Sequence, residues 1–258
     1  MLTGFSVRGF KSLADLPPDK DGLISFNPLN VLIGPNGSGK SSLLQSIDFL
    51  RAFFMSSVEV YLRDRDWSYK DLPNLRRTQK NIRWHLTAQL GPDEYGLGAG
   101  EYSYIVSLQP RKHLGVGEEI LEWTPPSGQP CQLLHRNGRE FSLFDKETQQ
   151  HKSLEAIGLP ASIMSQMDSK KDYAKYPEML RFRSWIEQFR AYLIWDPKIL
   201  RMIDRGKYEQ IGLSGEHLAA VMGQLKDKQP DKFRKLVDRI RRLFPSVTNI
   251  SVAGRGWG

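Results

Sequence analysis

Leu29-Asn30-Val31-Leu32-Ile33-Gly34-Pro35-Asn36-Gly37-Ser38-Gly39-Lys40-Ser41-Ser42 is the stretch on which the fold turns. From Gly34 to Ser41 it fits G-x-x-x-x-G-K-[ST], the phosphate-binding loop. Val31-Leu32-Ile33 ahead of it is apolar and partly β-branched, which predicts a buried parallel strand. Behind it, Leu43, Leu44, Ile47 and Leu50 recur at helical spacing and predict a helix. An ordinary glycine-rich turn is the competing reading, and the flanking strand and helix decide against it.

Each residue type in the loop has a chemical reason. Gly34, Gly37 and Gly39 let the backbone bend sharply and approach a ligand closely. The loop N–H groups then converge as an anion nest, and the helix that follows adds its positive N-terminal end. Lys40 is placed to reach the β- and γ-phosphates of ATP and assist their transfer, and the Ser41 hydroxyl to ligate Mg²⁺. Gly34, Pro35, Asn36, Gly37, Ser38, Gly39, Lys40, Ser41 and Ser42 are therefore the candidate nucleotide-binding residues.

Leu2 to Arg8 alternates weakly and predicts a first strand. Pro17-Pro18-Asp19-Lys20-Asp21-Gly22 has turn chemistry, and Leu23 to Phe26 predicts a second strand. With these in place, the opening of the chain resembles the ABC-type P-loop ATPases of the SMC, RecF and OLD group. The residues that carry the resemblance are Arg8-Gly9-Phe10-Lys11-Ser12 after the terminal strand and Pro28 to Ser41 around the loop, over about residues 1–54. The resemblance implies an α/β fold: an ABC-type head with an antiparallel β-subdomain and a helical lobe. It also implies ATP-driven engagement of two heads, as a homodimer or with a partner chain, in DNA repair, DNA maintenance or anti-phage defence.

Composition narrows the classes. The 258 residues, 40% hydrophobic, suffice for one large domain or a core with a lobe. Cys131, the single cysteine, excludes an intrachain disulfide and fits a reducing compartment. No run approaches the ~20 apolar residues that span a membrane, and the first residues lack a secretory pattern, so a cytoplasmic location is expected. The net charge of +8 suits an anionic partner, DNA among them, although ATP is itself anionic.

The organisation read along the chain is a phosphate-loop core at 1–57, an antiparallel β-subdomain at 58–150, a helical lobe at 151–245 and a returning strand at 246–258. Tyr61, Trp67, Tyr69 and Trp84 interleave with cations, and packing onto a sheet is preferred to stacking on bases. Residues 81–148 are rich in strand formers, with a hairpin signal at Asn137-Gly138. Helices are predicted from Pro177, from Ser214 as a capping residue, and over 231–244, where one face is apolar and the other strongly basic. Gln166 stands where the β-region gives way to the helical lobe. In the resembled group a glutamine at such a junction contacts Mg²⁺ and the attacking water, so it is a candidate catalytic and metal residue.

Hydrolysis by the group's chemistry also needs a strand ending in Asp-Glu and a serine-glycine signature. Asp196 follows an apolar run, but proline stands after it, and Leu213-Ser214-Gly215-Glu216 departs from the signature. Asp196 reads as a strand-to-turn residue and Ser214 as a helix cap. The expectation is a chain that binds ATP with an incomplete core sheet, completed by residues elsewhere and with its open edge covered by another chain. A regulatory nucleotide binder that dimerises without turnover, and a small-molecule kinase, remain as alternatives. The histidines show no metal spacing with Cys131.

Overall fold

A computed structural model describes residues 1–19, 21–93, 96–156, 158–192, 197–200, 202, 206, 208 and 210–251. Two compact units divide the chain, Met1–Phe189 and Arg190–Gly258.

The first unit is built on one sheet. Its strands are β1 (Leu2–Phe10), β2 (Leu13–Leu16), β3 (Ile24–Ser25), β4 (Ile82–Leu90), β5 (Gly100–Pro110), β6 (Leu114–Thr124), β7 (Cys131–Asn137), β8 (Glu140–Asp145) and β9 (Gln150–Glu155). The order is β2-β1-β4-β5-β6-β7-β8-β9, with β3 also on β1, and every described pairing is antiparallel. Because β1 pairs with β4, the opening residues and the 81–148 region share one continuous sheet. The Asn137-Gly138 signal does form a hairpin: Asn137 faces Glu140, and Gly138 takes φ +61°.

Alternation decides which face the sheet buries. Ile82, Trp84, Leu86 and Ala88 of β4 and Tyr102, Tyr104, Val106 and Leu108 of β5 are fully buried, every second residue. Against that face lie α1 (Lys40–Phe54) and α3 (Pro177–Ile186). In α1 the inward residues Ser46, Phe49, Leu50, Phe53 and Phe54 recur at three- and four-residue steps. Phe49 stacks on Trp84 with centroids 5.5 Å apart, Phe54 meets Tyr104 at 5.1 Å, and Phe182 of α3 stacks on Tyr102 at 5.3 Å. Each such aromatic removes enough apolar surface from water to contribute about 2–3 kcal/mol. Between α1 and the sheet's next strand run α2 (Val58–Arg63) and a 3₁₀ turn at Tyr69–Asp71. Tyr61 and Trp84 are buried and Trp67 and Tyr69 pack on the core, as packing rather than base stacking predicts.

Four expectations are corrected, the returning strand in the second unit among them. Val31-Leu32-Ile33 is not a buried parallel strand: it forms no strand, with Val31 73% and Ile33 91% exposed. A parallel strand is buried only with neighbours and covering helices, and no described strand pairs with it. Residues 150–155 belong to an edge strand rather than the helical lobe, pairing with β8 from Glu140↔Glu155 to Asp145↔Gln150. Ser214 does not cap the following helix, which starts at Leu218 after His217 in a left-handed conformation.

The second unit holds α4 (Pro197–Leu200), α5 (Leu218–Lys228) and α6 (Pro230–Leu243). Residues 248–251 form no strand, and 252–258 lie outside the described residues, as does Asp196 with the apolar run before it.

Candidate nucleotide-binding site

The phosphate loop leads into α1 as its residue types require. Gly37 and Gly39 take φ +81° and +95°, the left-handed region that L side chains rarely adopt. At Gly39 a Cβ would also lie 2.7 Å from Leu13 Cδ2, so the loop can sit this close to the first hairpin only without a side chain. The Lys40 ammonium is folded into the loop, donating to Gly34 O and Pro35 O at 2.7 Å each.

The start of α1 is open to an anion. Gly39 offers no side-chain cap, no acidic residue lies in the first turn, and Leu43 N, bonded to Gly39 O at 2.9 Å, begins the helical ladder. The N–H groups of Lys40, Ser41 and Ser42 precede that ladder, and Ser41 is exposed. An uncapped helix start beside a lysine favours negative charge. These donors are N–H groups, an ammonium and hydroxyls, with no carboxylate among them, and so fit a polyphosphate. Mg²⁺ at this loop would take the Ser41 hydroxyl, phosphate oxygens and water, since it keeps much of its own hydration. Mg²⁺ there would neutralise phosphate charge, and the chain's own task is to hold and orient the phosphates.

The tip of the β1–β2 hairpin forms the loop's other wall. Its two-residue turn, Lys11-Ser12, requires φ +49° at Lys11. The Ser12 and Ser42 hydroxyls are 2.7 Å apart. Asn74 fixes the turn from behind, its N donating to Gly9 O at 2.8 Å and its Nδ2 to Lys11 O at 2.6 Å. The Lys11 ammonium lies 2.9 Å above the Trp67 ring centroid, and partial burial pushes it down to about 8. Lys11, Ser12, Gly37, Lys70, Asn74 and Arg76 line a groove of about 440 Å³ that opens beside the loop. In the sequence Lys70 and Arg76 stand only among the cations that interleave with the aromatics, and Lys11 only in the stretch that carries the resemblance. The signal available was Gly9-Phe10-Lys11-Ser12, whose glycine at φ +76° would place a Cβ 2.6 Å from Asn81 O.

Gln166 sits elsewhere, in a turn beside the far end of α1. It ends the 3₁₀ turn Ile163–Gln166, is exposed, and donates from Nε2 to Ser165 Oγ at 3.0 Å. Ser162, which caps that turn, donates from N to Phe53 O at 3.3 Å, in the last turn of α1. Phe53 is twelve residues from Ser41, about 18 Å along a helix. The structure thus gathers residues 34–42 with Lys11 and Ser12, and anchors the Gln166 turn at the far end of the same helix.

That turn is held by buried charge. Glu119 of β6, fully buried, accepts from Ser162 Oγ at 2.5 Å, Tyr104 Oη at 3.0 Å and Ile163 N at 3.2 Å. Arg136 of β7 lies 3.8 Å from Glu119 and donates to Ala161 O and Leu159 O. Arg183 of α3 closes the other end, donating to Met164 O at 2.9 Å and Met167 O at 2.6 Å. Burial pushes the Glu119 carboxyl above its ordinary value, opposed by these donors.

Compared with known families, residues 29–122 match the family model described as "AAA domain, putative AbiEii toxin, Type IV TA system". Curated proteins give no match. No helix among the described residues is long and apolar enough to cross a membrane. The matched segment begins five residues before Gly34 and runs through β4, β5 and most of β6, and it supports a P-loop ATPase domain of the AAA type, with nucleotide binding as its function.

Proposed function

We propose that this chain is the Mg-ATP-binding part of an ABC-type ATPase resembling the SMC, RecF and OLD group. Phosphates are held by residues 34–42 and Mg²⁺ by Ser41, and the base and ribose lie toward the groove of Lys11, Lys70 and Arg76. The observation that carries this reading is the start of α1: uncapped, free of acid, and preceded by two left-handed glycines with Lys40 folded over the loop.

In this reading ATP drives two heads, or a head and a partner chain, together. Support comes from the exposed apolar side chains Leu29, Val31 and Ile33, which pairing with a strand from another segment would cover. Hydrolysis then draws its acid from outside the described residues, and Gln166, anchored at the far end of α1, stands apart from the Mg²⁺ held by Ser41. DNA repair, DNA maintenance or anti-phage defence is the setting, and the toxin description of the matching family favours the last.

Equilibrium titration with Mg-ATP, with sedimentation in parallel, tests the proposal. Wild type should bind and associate as ATP is added, while Lys40→Ala should lose roughly tenfold to hundredfold in affinity, the worth of a charge-assisted bond to phosphate. Equal affinity in the two proteins overturns it. Association without phosphate release would identify a switch rather than a turnover enzyme.

A further inference from the structure

Three cations meet in the groove beside the phosphate loop, and none of them is paired to an acid. Lys70 and Arg76 are exposed, and among the described residues neither side chain makes an ion pair or a hydrogen bond. Lys11 is half-buried, and its ammonium meets the Trp67 ring rather than a carboxylate or a carbonyl. Its backbone is fixed on both sides: Lys11 N donates to Leu72 O at 2.8 Å, and Lys11 O accepts from Asn74 Nδ2. The neighbouring lysines differ. Lys40 donates to Gly34 O and Pro35 O, and Lys80 to Asn74 O and Leu75 O at 3.1 Å each. Asp71 also lines the groove, but its carboxylate accepts from Ser68 N at 2.7 Å and Ser68 Oγ at 2.8 Å.

We propose that Lys11 is an acylation site, and that its acyl donor is a mixed anhydride of a carboxylic acid with phosphoric acid, held in this groove. The amine lone pair attacks the carbonyl carbon and forms the N–C bond of an amide. The C–O bond to phosphate breaks, and inorganic phosphate leaves with the bonding pair and takes the proton displaced from nitrogen. Lys70 and Arg76 hold the phosphoryl oxygens and stabilise the charge that gathers on the leaving group. Lys11 supplies the free amine. Partial loss of water, with Arg65 assisting and Asp71 opposing, brings its ionisation down to about 8. An acyl thioester is the lesser fit, because the group it releases carries no phosphate at the reacting carbon. The amide is neutral, so acylation takes one of the three cations from the groove. This goes beyond nucleotide binding and does not rest on it.

The full chain is incubated with acetyl phosphate at pH 8 without nucleotide, and acetylation of each lysine is followed by peptide mass spectrometry. At that pH roughly half of Lys11 is free amine, against well under 1% of an ordinary lysine, and its lower basicity gives back part of the advantage. Lys11 should therefore react about tenfold faster than Lys40, Lys80 and the exposed Lys232. Its rate should saturate with acetyl phosphate and fall when inorganic phosphate is added. Lys70→Gln/Arg76→Gln, two exposed changes, should slow acetylation of Lys11 by acetyl phosphate about tenfold, the loss of charge-assisted contacts to phosphate. The same variant should react like wild type with N-hydroxysuccinimidyl acetate, which carries no phosphate. Lys11 reacting no faster than Lys232, an unchanged rate in the double variant, or an equal fall with both reagents overturns the proposal. No nucleotide is present, so failure of Mg-ATP to bind is a separate result.

Discussion

The Lys11 ammonium rests 2.9 Å above the Trp67 ring, at the mouth of the groove beside the phosphate loop. Loss of water is the main reason its proton is held weakly, with Asp71 opposing and Arg65 assisting, and it titrates at about 8 rather than 10.5. The unfolded chain therefore holds more protons than the folded one between those values, so stability rises with pH across that window; below it the cost of burying the charged amine is full and constant with pH. Lys11→Met should remove that rise, because the thioether neither titrates nor loses its contact with the ring. Urea midpoints at pH 7 and pH 10 check this: the wild-type difference should exceed the variant's. Parallel behaviour would place the Lys11 amine in water.

Gly37 and Gly39 separate conformational strain from crowding. Both have positive φ, yet a Cβ at Gly37 meets open space and one at Gly39 meets Leu13 Cδ2. Gly37→Ala should cost about 1 kcal/mol from the backbone alone. Gly39→Ala adds the clash and should cost about 2–3 kcal/mol while displacing Ser12 from Ser42, so ATP affinity falls with stability. Thermal denaturation of the two variants, with and without Mg-ATP, ranks them; a Gly37 variant as damaged as the Gly39 variant would contradict the geometry.

Glu119 makes the opposite kind of prediction, far from the nucleotide. Glu119→Ala leaves the Arg136 guanidinium buried without its counter-charge and strips the cap from the 162–166 turn, at a cost of about 3–5 kcal/mol. Glu119→Gln keeps the shape and should cost less. Burial holds the folded carboxyl above 4.5, so acidification through that range favours the folded form at this site, and the Gln variant should lose that contribution. Denaturant curves at pH 4 and pH 7 read both effects.

Much of this was legible in the chain because local chemistry decided it. The alternation of Ile82, Trp84 and Leu86, the Asn137-Gly138 turn and the proline before Glu178 each specify a strand, a hairpin and a helix start with little help from the rest. What was not legible depended on partners. Val31 and Ile33 have the composition of a buried strand, but composition cannot say whether neighbours are present to bury it. Residues 150–155 are all exposed, so no apolar alternation marked the edge strand, which exists through its backbone pairing with β8. The groove beside the loop was hidden because Lys11 is far in sequence from Lys70 and Arg76 and meets them through the pairing of 9–11 with 72–74.

The stretch 29–33 gives the sharpest contrast between a chain alone and a chain in an assembly. Ile33 is 91% exposed, so Ile33→Ser removes no packing and should change the stability of the isolated chain by less than about 0.5 kcal/mol. Lys40 and the glycines are untouched, so ATP affinity should hold. If ATP-driven association completes a sheet along this edge, the same substitution places a hydroxyl where an apolar contact forms and weakens association at least tenfold, the effect of roughly 1.4 kcal/mol lost from a buried contact. Sedimentation at saturating Mg-ATP, beside a thermal melt of each protein, separates the cases. Weakened association with an unchanged melt supports pairing at this edge; a melt lowered by several degrees would mean that Ile33 is already buried in the isolated chain; unchanged association moves the contact surface elsewhere.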